Sequence, residues 1–271
     1  MKAAVLGSPI AHSLSPAVHA AGYAALGLTD WSYTLVEMDV AGLPGFVAGL
    51  DEQWRGLSLT MPLKEVCLEV AGVVTPLARS AGAGNTLVRQ EEGGWLADNT
   101  DVPGLVDALS PAWQREWTRA AILGAGATAR SAVLALASMG VPDVTVFARS
   151  AERALSLREW AATAAPDVTL GVEPLVRWTT GTHPAVLSTL PGAAADHFVL
   201  PGRRTGLLFD AVYASWPTPL ARAAASAGMT VVGGLDLLVH QAARQFELFT
   251  GLPAPIEAML AAGRAAEGAA R

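Results

Sequence analysis

Ala120-Ala121-Ile122-Leu123-Gly124-Ala125-Gly126-Ala127-Thr128-Ala129 is the stretch that decides the fold. A continuous apolar run enters a glycine turn of the form G-x-G-x-x-G/A, and an alanine-rich segment of helical character follows. Such a run before such a turn reads as a buried parallel strand feeding a helix N-terminus. Gly124 permits the tight turn, Gly126 lets a pyrophosphate approach the backbone, and Ala129 keeps the helix close to the sheet. The next apolar strand pattern, 144–147, leads to Arg149. A chain built for NAD places an acidic residue near that point to hold the ribose 2′-hydroxyl, whereas a guanidinium suits a 2′-phosphate. The stretch therefore implies a Rossmann unit that binds NADP(H).

The turn sits in mid-chain, so residues 1–119 have room to form a domain of their own. There, strand patterns at 2–6, 32–36, 56–60 and 83–88 alternate with helix patterns at 16–26, 42–49, 64–70 and 76–81. A hairpin turn at 90–94 returns through 95–98. The alternation predicts an α/β fold with a mostly parallel sheet. A helix at 102–109 leads to the second domain. Beyond Arg149 the pattern predicts helices at 151–162 and 219–227, and strands at 168–171, 185–188, 207–209 and 230–232. Two final helices fall at 236–249 and 254–266. Leu238, Ala242, Phe246 and Phe249 form an apolar stripe at helical spacing. Such a tail crosses back onto the first domain. The predicted domains are therefore 1–101 plus 238–271, for substrate binding and catalysis, and 102–237, for the nucleotide.

Hydrophobic residues make up 52% of the 271 residues and charged residues 15%, which assures a sizeable core and argues against disorder. The net charge is −6 and no basic run exists, which argues against nucleic acid or an anionic membrane as partner. The single cysteine, Cys67, excludes an internal disulfide; its apolar neighbours mark a buried, inert thiol. The N-terminal apolar run is too short for a signal peptide. Only 120–141 approaches membrane-span length, and glycines and Arg130 interrupt it. These features suggest a cytoplasmic protein. The five histidines show no metal-ligand spacing, so no metal is expected.

Several polar residues stand out. Lys64 follows Thr60-Met61-Pro62-Leu63 and is expected in a first helical turn, where the macrodipole opposes its charge. The alternative is a solvated surface lysine. Asp101 closes Asn99-Thr100-Asp101 at the start of a helix, either as its N-cap or as a carboxylate paired with Lys64 for proton transfer. Ser15 before Pro16 fits an N-cap, whereas Ser13 has no such structural excuse and suits a carboxylate ligand. Asn85 ends a small-residue run that reads as a turn. Gln241 lies beside the apolar stripe of its helix, where an amide needs a partner in the core or in a ligand. Tyr213 follows a strand end and reads as a surface tyrosine or a ligand contact.

Taken in order, the motifs resemble the shikimate dehydrogenase family, in a form like that of actinobacteria. The likeness rests on Gly7-Ser8-Pro9-Ile10-Ala11-His12-Ser13-Leu14-Ser15-Pro16, Leu59-Thr60-Met61-Pro62-Leu63-Lys64, Ala83-Gly84-Asn85-Thr86, Asn99-Thr100-Asp101, the glycine turn, 210–220 and 234–251. The resemblance implies that Ser13 and Ser15 hold the substrate carboxylate and that Lys64 and Asp101 are the catalytic pair. It makes Thr60, Asn85, Asp101, Tyr213 and Gln241 substrate contacts. It places the pyrophosphate on Gly124, Ala125, Gly126, Ala127, Thr128 and Ala129, and the 2′-phosphate on Arg149, Ser150 and Arg153. Ala211 and Gly234 then approach the nicotinamide. Departures are Ser58 for a frequent asparagine, Ala127 for a glycine, Ala148 for an asparagine, and Asp236-Leu237 for Gly-Met. The implied reaction is reversible, NADPH-dependent reduction of 3-dehydroshikimate to shikimate by a monomer or homodimer. Rival readings are a quinate or dual quinate/shikimate dehydrogenase and a non-catalytic NADP-binding sensor.

Overall fold

Lys2–Gly7 (β1) is buried along nearly its whole length, as a parallel strand covered on both faces must be. The computed structural model describes residues 1–269 apart from 179–182, 196–197, 199, 201 and 214. After β1 come Ser15–Ala25 (α1), Ser32–Glu37 (β2), Leu43–Ala48 (α2), Trp54–Leu59 (β3), Cys67–Val70 (α3), Val73–Val74 (β4), Pro76–Ala81 (α4), Thr86–Arg89 (β5), Trp95–Asp98 (β6) and Asp101–Leu109 (α5). The strands form one sheet in the order β2-β1-β3-β5-β6-β4. Its pairs β1–β2, β1–β3 and β4–β6 are parallel, whereas β5 runs antiparallel to both β3 and β6. Ala4, Leu6, Leu57, Leu59, Leu63 and Leu87 pack into the core on this sheet. Full burial of each leucine stabilises the fold by about 1.5–3 kcal/mol relative to exposure.

Two local expectations are corrected here. The helix expected over 64–70 is only the four residues of α3, and Lys64 lies in the turn before it. The Lys64 carbonyl accepts from Gly84 N–H (2.7 Å), while Leu68 N–H donates instead to Glu65 (3.2 Å). A helix starting at Lys64 would need that carbonyl internally. The same bond holds residues 83–85 to the loop after β3, so β5 begins at Thr86 rather than at 83. The two-residue strand β4 was too short for its periodicity to be read.

The second part of the chain continues with Arg119–Leu123 (β7), Ala127–Ser138 (α6), Asp143–Ala148 (β8), Ala151–Ala164 (α7), Thr169–Pro174 (β9), Ala185–Ser188 (β10), Leu207–Asp210 (β11), Pro219–Ala227 (α8), Thr230–Gly233 (β12), Gly234–Thr250 (α9) and Ile256–Ala269 (α10). Its sheet has the order β12-β11-β10-β7-β8-β9 and is parallel throughout. That is the doubly wound dinucleotide order, with its switch point between β7 and β10. The chain divides into two compact units, Met1–Gly104 with Leu238–Arg271, and Leu105–Leu237. Within the first unit the C-terminal helices pack back against α1. The Phe246 ring lies beside Gly22, and Val239, Ala242, Ala243, Phe246 and Phe249 are buried.

Candidate active site

In the first unit, strand direction decides which residues meet. β3 ends, β5 begins and β6 ends on the same edge of the sheet, because β5 is antiparallel to both neighbours. The loops that follow β3 and β6 and the one that precedes β5 therefore converge. They carry Thr60 and Lys64, then Asn99, Thr100 and Asp101, then Asn85. Lys64 Nζ lies 2.6 Å from Asp101 Oδ2, with both side chains largely buried. Asp101 Oδ1 accepts from Asn85 Nδ2 at 2.8 Å. The Asn85 amide also donates toward Thr100 Oγ1 (3.0 Å) and Gln241 Oε1 (3.2 Å).

Asp101 is the first residue of α5, but it does not cap that helix. Asn99 Oδ1 accepts from the backbone N–H groups of Asp101 (3.1 Å) and Val102 (3.3 Å). With capping supplied by Asn99, both Asp101 oxygens are left for Lys64, Asn85 and a ligand. Lys64 is likewise not a solvated surface lysine. Its ion pair with Asp101, rather than a helix terminus, sets its environment.

Ser15 is the first residue of α1 and not its cap; Leu14 occupies the N-cap position without a side-chain bond. Ser15 is buried, and its backbone N–H donates to Ser13 Oγ at 3.3 Å. Ser13 Oγ thus stands at a helix N-terminus, where backbone N–H groups favour an anion, while the Ser15 hydroxyl bonds the Tyr33 phenol. Gln241 reaches the site because α9 lies directly on α5. A Cβ on Gly104 would sit 2.8 Å from Gln241 N, so only glycine permits that approach. Gln241 Nε2 donates to the Leu238 carbonyl (2.8 Å), which turns its oxygen toward Asn85 and Thr100.

The second unit holds a different kind of site. Gly124 follows β7 with φ +112°, and a Cβ there would meet Thr189 Oγ1 at 2.5 Å, so the turn requires glycine. Gly126 is the N-cap of α6, with no side-chain cap and open space where a Cβ would project. Open backbone N–H groups at a helix N-terminus beside the switch point fit a pyrophosphate. Ala125, Ala127 and Thr128 are part-exposed around this turn, and Ala129 is buried against the sheet. Arg149 follows β8 and is exposed, as is Arg153 in the first turn of α7. Ser150 caps α7 by accepting from Arg153 N–H at 3.2 Å, which leaves its hydroxyl proton for a phosphate. Gly234 packs against the Ala211 carbonyl. Tyr213 follows β11 and is part-buried rather than on the open surface; burial pushes its phenol up.

The structure thus gathers Ser13 and Ser15 at one helix start, and Lys64, Asn85, Asp101 and Gln241 into one polar cluster. Sequence reasoning missed three members of its surroundings: Tyr33, Thr100 and Gln245. Gln245 is 1% exposed and hydrogen-bonded to Ser58, Thr86 and Asn85. Its spacing of four from Gln241, on the same helix face, was a readable signal. Among the described residues no cluster could hold a metal, and no helix is long and apolar enough to cross a membrane.

A doubly wound nucleotide unit and a second α/β unit bearing a lysine–carboxylate pair together define a two-domain, nucleotide-dependent oxidoreductase. Residues 5–87 match the shikimate dehydrogenase substrate binding domain, and residues 234–262 match the shikimate 5′-dehydrogenase C-terminal domain. The NADP(+)-dependent shikimate dehydrogenase of Methylobacterium radiotolerans is 39% identical over 264 residues, covering 92% of this chain and 91% of the relative. The crystal structure of the Mycobacterium tuberculosis shikimate dehydrogenase has a TM-score of 0.87 at 43% identity, covering 97% of this chain and 99% of that one. The Thermus thermophilus enzyme in complex with NADP(H) and shikimate has a TM-score of 0.87 at 34% identity, over 98% and 99% of the two chains. The chain belongs to the shikimate dehydrogenase family.

Proposed function

We propose that this chain catalyses the reversible, NADPH-dependent reduction of 3-dehydroshikimate to shikimate. The reading rests above all on the 2.6 Å Lys64–Asp101 pair set among Asn85, Thr100 and Gln241. The first unit acts as the substrate and catalytic domain, and the second holds the cofactor. Ser13 and Ser15, at the start of α1, take the ring carboxylate and so set the orientation of the ring. Asn85, Asp101 and Gln241 hold ring hydroxyls, with Thr60 and Tyr213 as further substrate contacts. Lys64 approaches the carbonyl oxygen of the substrate, donates a proton as that oxygen gains charge, and recovers a proton from solvent. Asp101 holds the ammonium in place.

NADPH, when bound, supplies the hydride to the carbonyl carbon, so the two electrons and the proton together give the alcohol and NADP⁺. Gly124 to Ala129 would hold its pyrophosphate, and Arg149, Ser150 and Arg153 its 2′-phosphate. Ala211 and Gly234 would border the nicotinamide. The absence of a basic run and the single buried thiol support a small-molecule partner and a reducing, cytoplasmic setting.

The direct test is to follow the absorbance of NADPH formed from NADP⁺ and shikimate, with quinate and NAD⁺ as the competing pair. Turnover with shikimate and NADP⁺ well above the other combinations is expected. A protein that binds NADP⁺ without turnover would be a sensor and would overturn the reading.

A further inference from the structure

Beneath Asn85 lies a hydrogen-bonded chain that meets the residues assigned to the reaction at Asn85 and, through the Tyr33 phenol, at Ser15. Tyr33 Oη donates to Ser58 Oγ (2.6 Å), and Ser58 donates to Gln245 Oε1 (2.7 Å). Gln245 Nε2 donates to the Asn85 carbonyl (3.2 Å) and to Thr86 Oγ1 (3.0 Å). Thr86 Oγ1 donates to Asn85 Oδ1 (2.8 Å). Every side chain in this chain is 9% exposed or less. Ser58 and Thr86 are cross-strand partners of β3 and β5, and Gln245 reaches both from α9. The face of Tyr33 is in turn covered by His19, stacked at 4.0 Å between ring centres.

The direction of each bond follows from the donors available. The Asn85 carbonyl can only accept, so the Gln245 amide must present its nitrogen there. Its oxygen is then left for Ser58, whose own acceptor position is taken by Tyr33; burial pushes the Tyr33 phenol up and keeps it a donor. Thr86, already accepting from Gln245, sends its single proton to Asn85 Oδ1. The Thr100 N–H donates to the same oxygen at 2.8 Å. With its oxygen held by these two donors, the Asn85 amide has only one orientation, nitrogen toward the Asp101 carboxylate.

We propose that Gln245, with Ser58 and Thr86, is a positioning residue that sets the orientation of the Asn85 amide and through it the substrate hydroxyl site. The inference rests on the proposed role of Asn85 in holding a ring hydroxyl. Gln245→Leu keeps the volume and removes both donors. The expected result is a KM for shikimate raised roughly tenfold, the worth of one buried hydrogen bond, with kcat changed less and the KM for NADP⁺ unaltered. Thr86→Val, an isosteric break further along the chain, should give the same split if Gln245→Leu folds poorly. An asparagine at 58 would collide with the Gln245 amide, yet could reach Thr86 itself once Gln245 is truncated. Ser58→Asn is therefore expected to lower activity alone but to recover the KM in combination with Gln245→Ala.

A merely structural role predicts a lowered melting temperature with both KM values unchanged, and that outcome overturns the proposal. So do strictly additive losses in the double variant. A wild-type chain inactive on shikimate would instead sink the functional reading. The orientation itself is read without activity in a crystal structure of Gln245→Leu. Loss of the 2.8 Å Asn85–Asp101 contact supports the proposal, and its retention overturns it.

Discussion

The two units bring their functional residues to sheet edges in opposite ways. In the first unit the site is made of buried side chains that hold one another: Asn85 alone is bonded to Thr86, Thr100, Asp101 and Gln241. In the second, it is made of backbone at a glycine turn and of exposed arginines that follow strand and helix starts. A buried polar network is worth more than its parts when complete, and costly when any member is lost. A backbone cradle with exposed charges contributes nearly independent terms. Substitutions in the first unit should therefore be coupled, and those in the second roughly additive.

The largest effect expected is at the lysine–carboxylate pair. Lys64→Ala should lower kcat by about 10²–10⁴-fold, with a smaller change in substrate KM. Steady-state rates check this, and a variant of near wild-type kcat breaks the contrast at its strongest point. The next is a pH effect on stability in the core under the same site. Burial holds the His19 imidazole neutral, with its pKa pushed down to about 3 from 6.5. The unfolded chain binds a proton below pH 6.5 that the folded chain refuses until about pH 3, so stability is lost as pH falls across that window. Replacing His19 with phenylalanine removes this linkage. Between neutral pH and pH 4 the variant should lose about 3 kcal/mol less stability than the wild-type chain. Denaturant unfolding of the two proteins at several pH values tests it, and parallel curves would show that His19 is not held neutral.

In the second unit, Arg149→Ala should raise the KM for NADP⁺ by about tenfold to a hundredfold through lost charge-assisted bonds, leaving that for NAD⁺ nearly unchanged. An unchanged NADP⁺ KM would move the 2′-phosphate to Arg153 and Ser150. The smallest effect is expected at Ser150, where alanine removes the α7 cap. About 1 kcal/mol of stability should be lost, seen as a small drop in melting temperature.

Most of the strands and helices were legible because each rests on a local signal: apolar runs for the parallel strands and amphipathic spacing for the C-terminal helices; the caps Thr75 and Thr218, ahead of Pro76 and Pro219, were not read. The errors lie where a distant bond overrides that signal. Lys64 is kept out of α3 because its carbonyl is claimed by Gly84. Asp101 reads as a cap in isolation, yet Asn99, two residues earlier, performs the capping. Ser15 with Pro16 has the form of a cap and the position of a first helical residue. Gln245 stands one helical turn from Gln241, a spacing that marks the face it shares, but only the fold shows the Ser58, Thr86 and Asn85 groups it meets.

By itself the sequence determined the doubly wound unit, the glycine turn that needs a left-handed residue, the arginine suited to a phosphate, and the residue types available for proton transfer. These depend on neighbours a few positions apart, and the chemistry of a turn or a strand end travels with its own residues. The sequence offered Lys64 and Asp101 as a pair, with a helix cap and a surface lysine as the alternatives; the tertiary structure decided between them across 37 positions, and it alone showed that Ser58 meets Gln245 across 187. The physical reason is the antiparallel insertion of β5 between β3 and β6, which turns three separate loops toward one edge of the sheet. Which donor then faces which acceptor follows from counting hydrogens across elements that no local pattern connects.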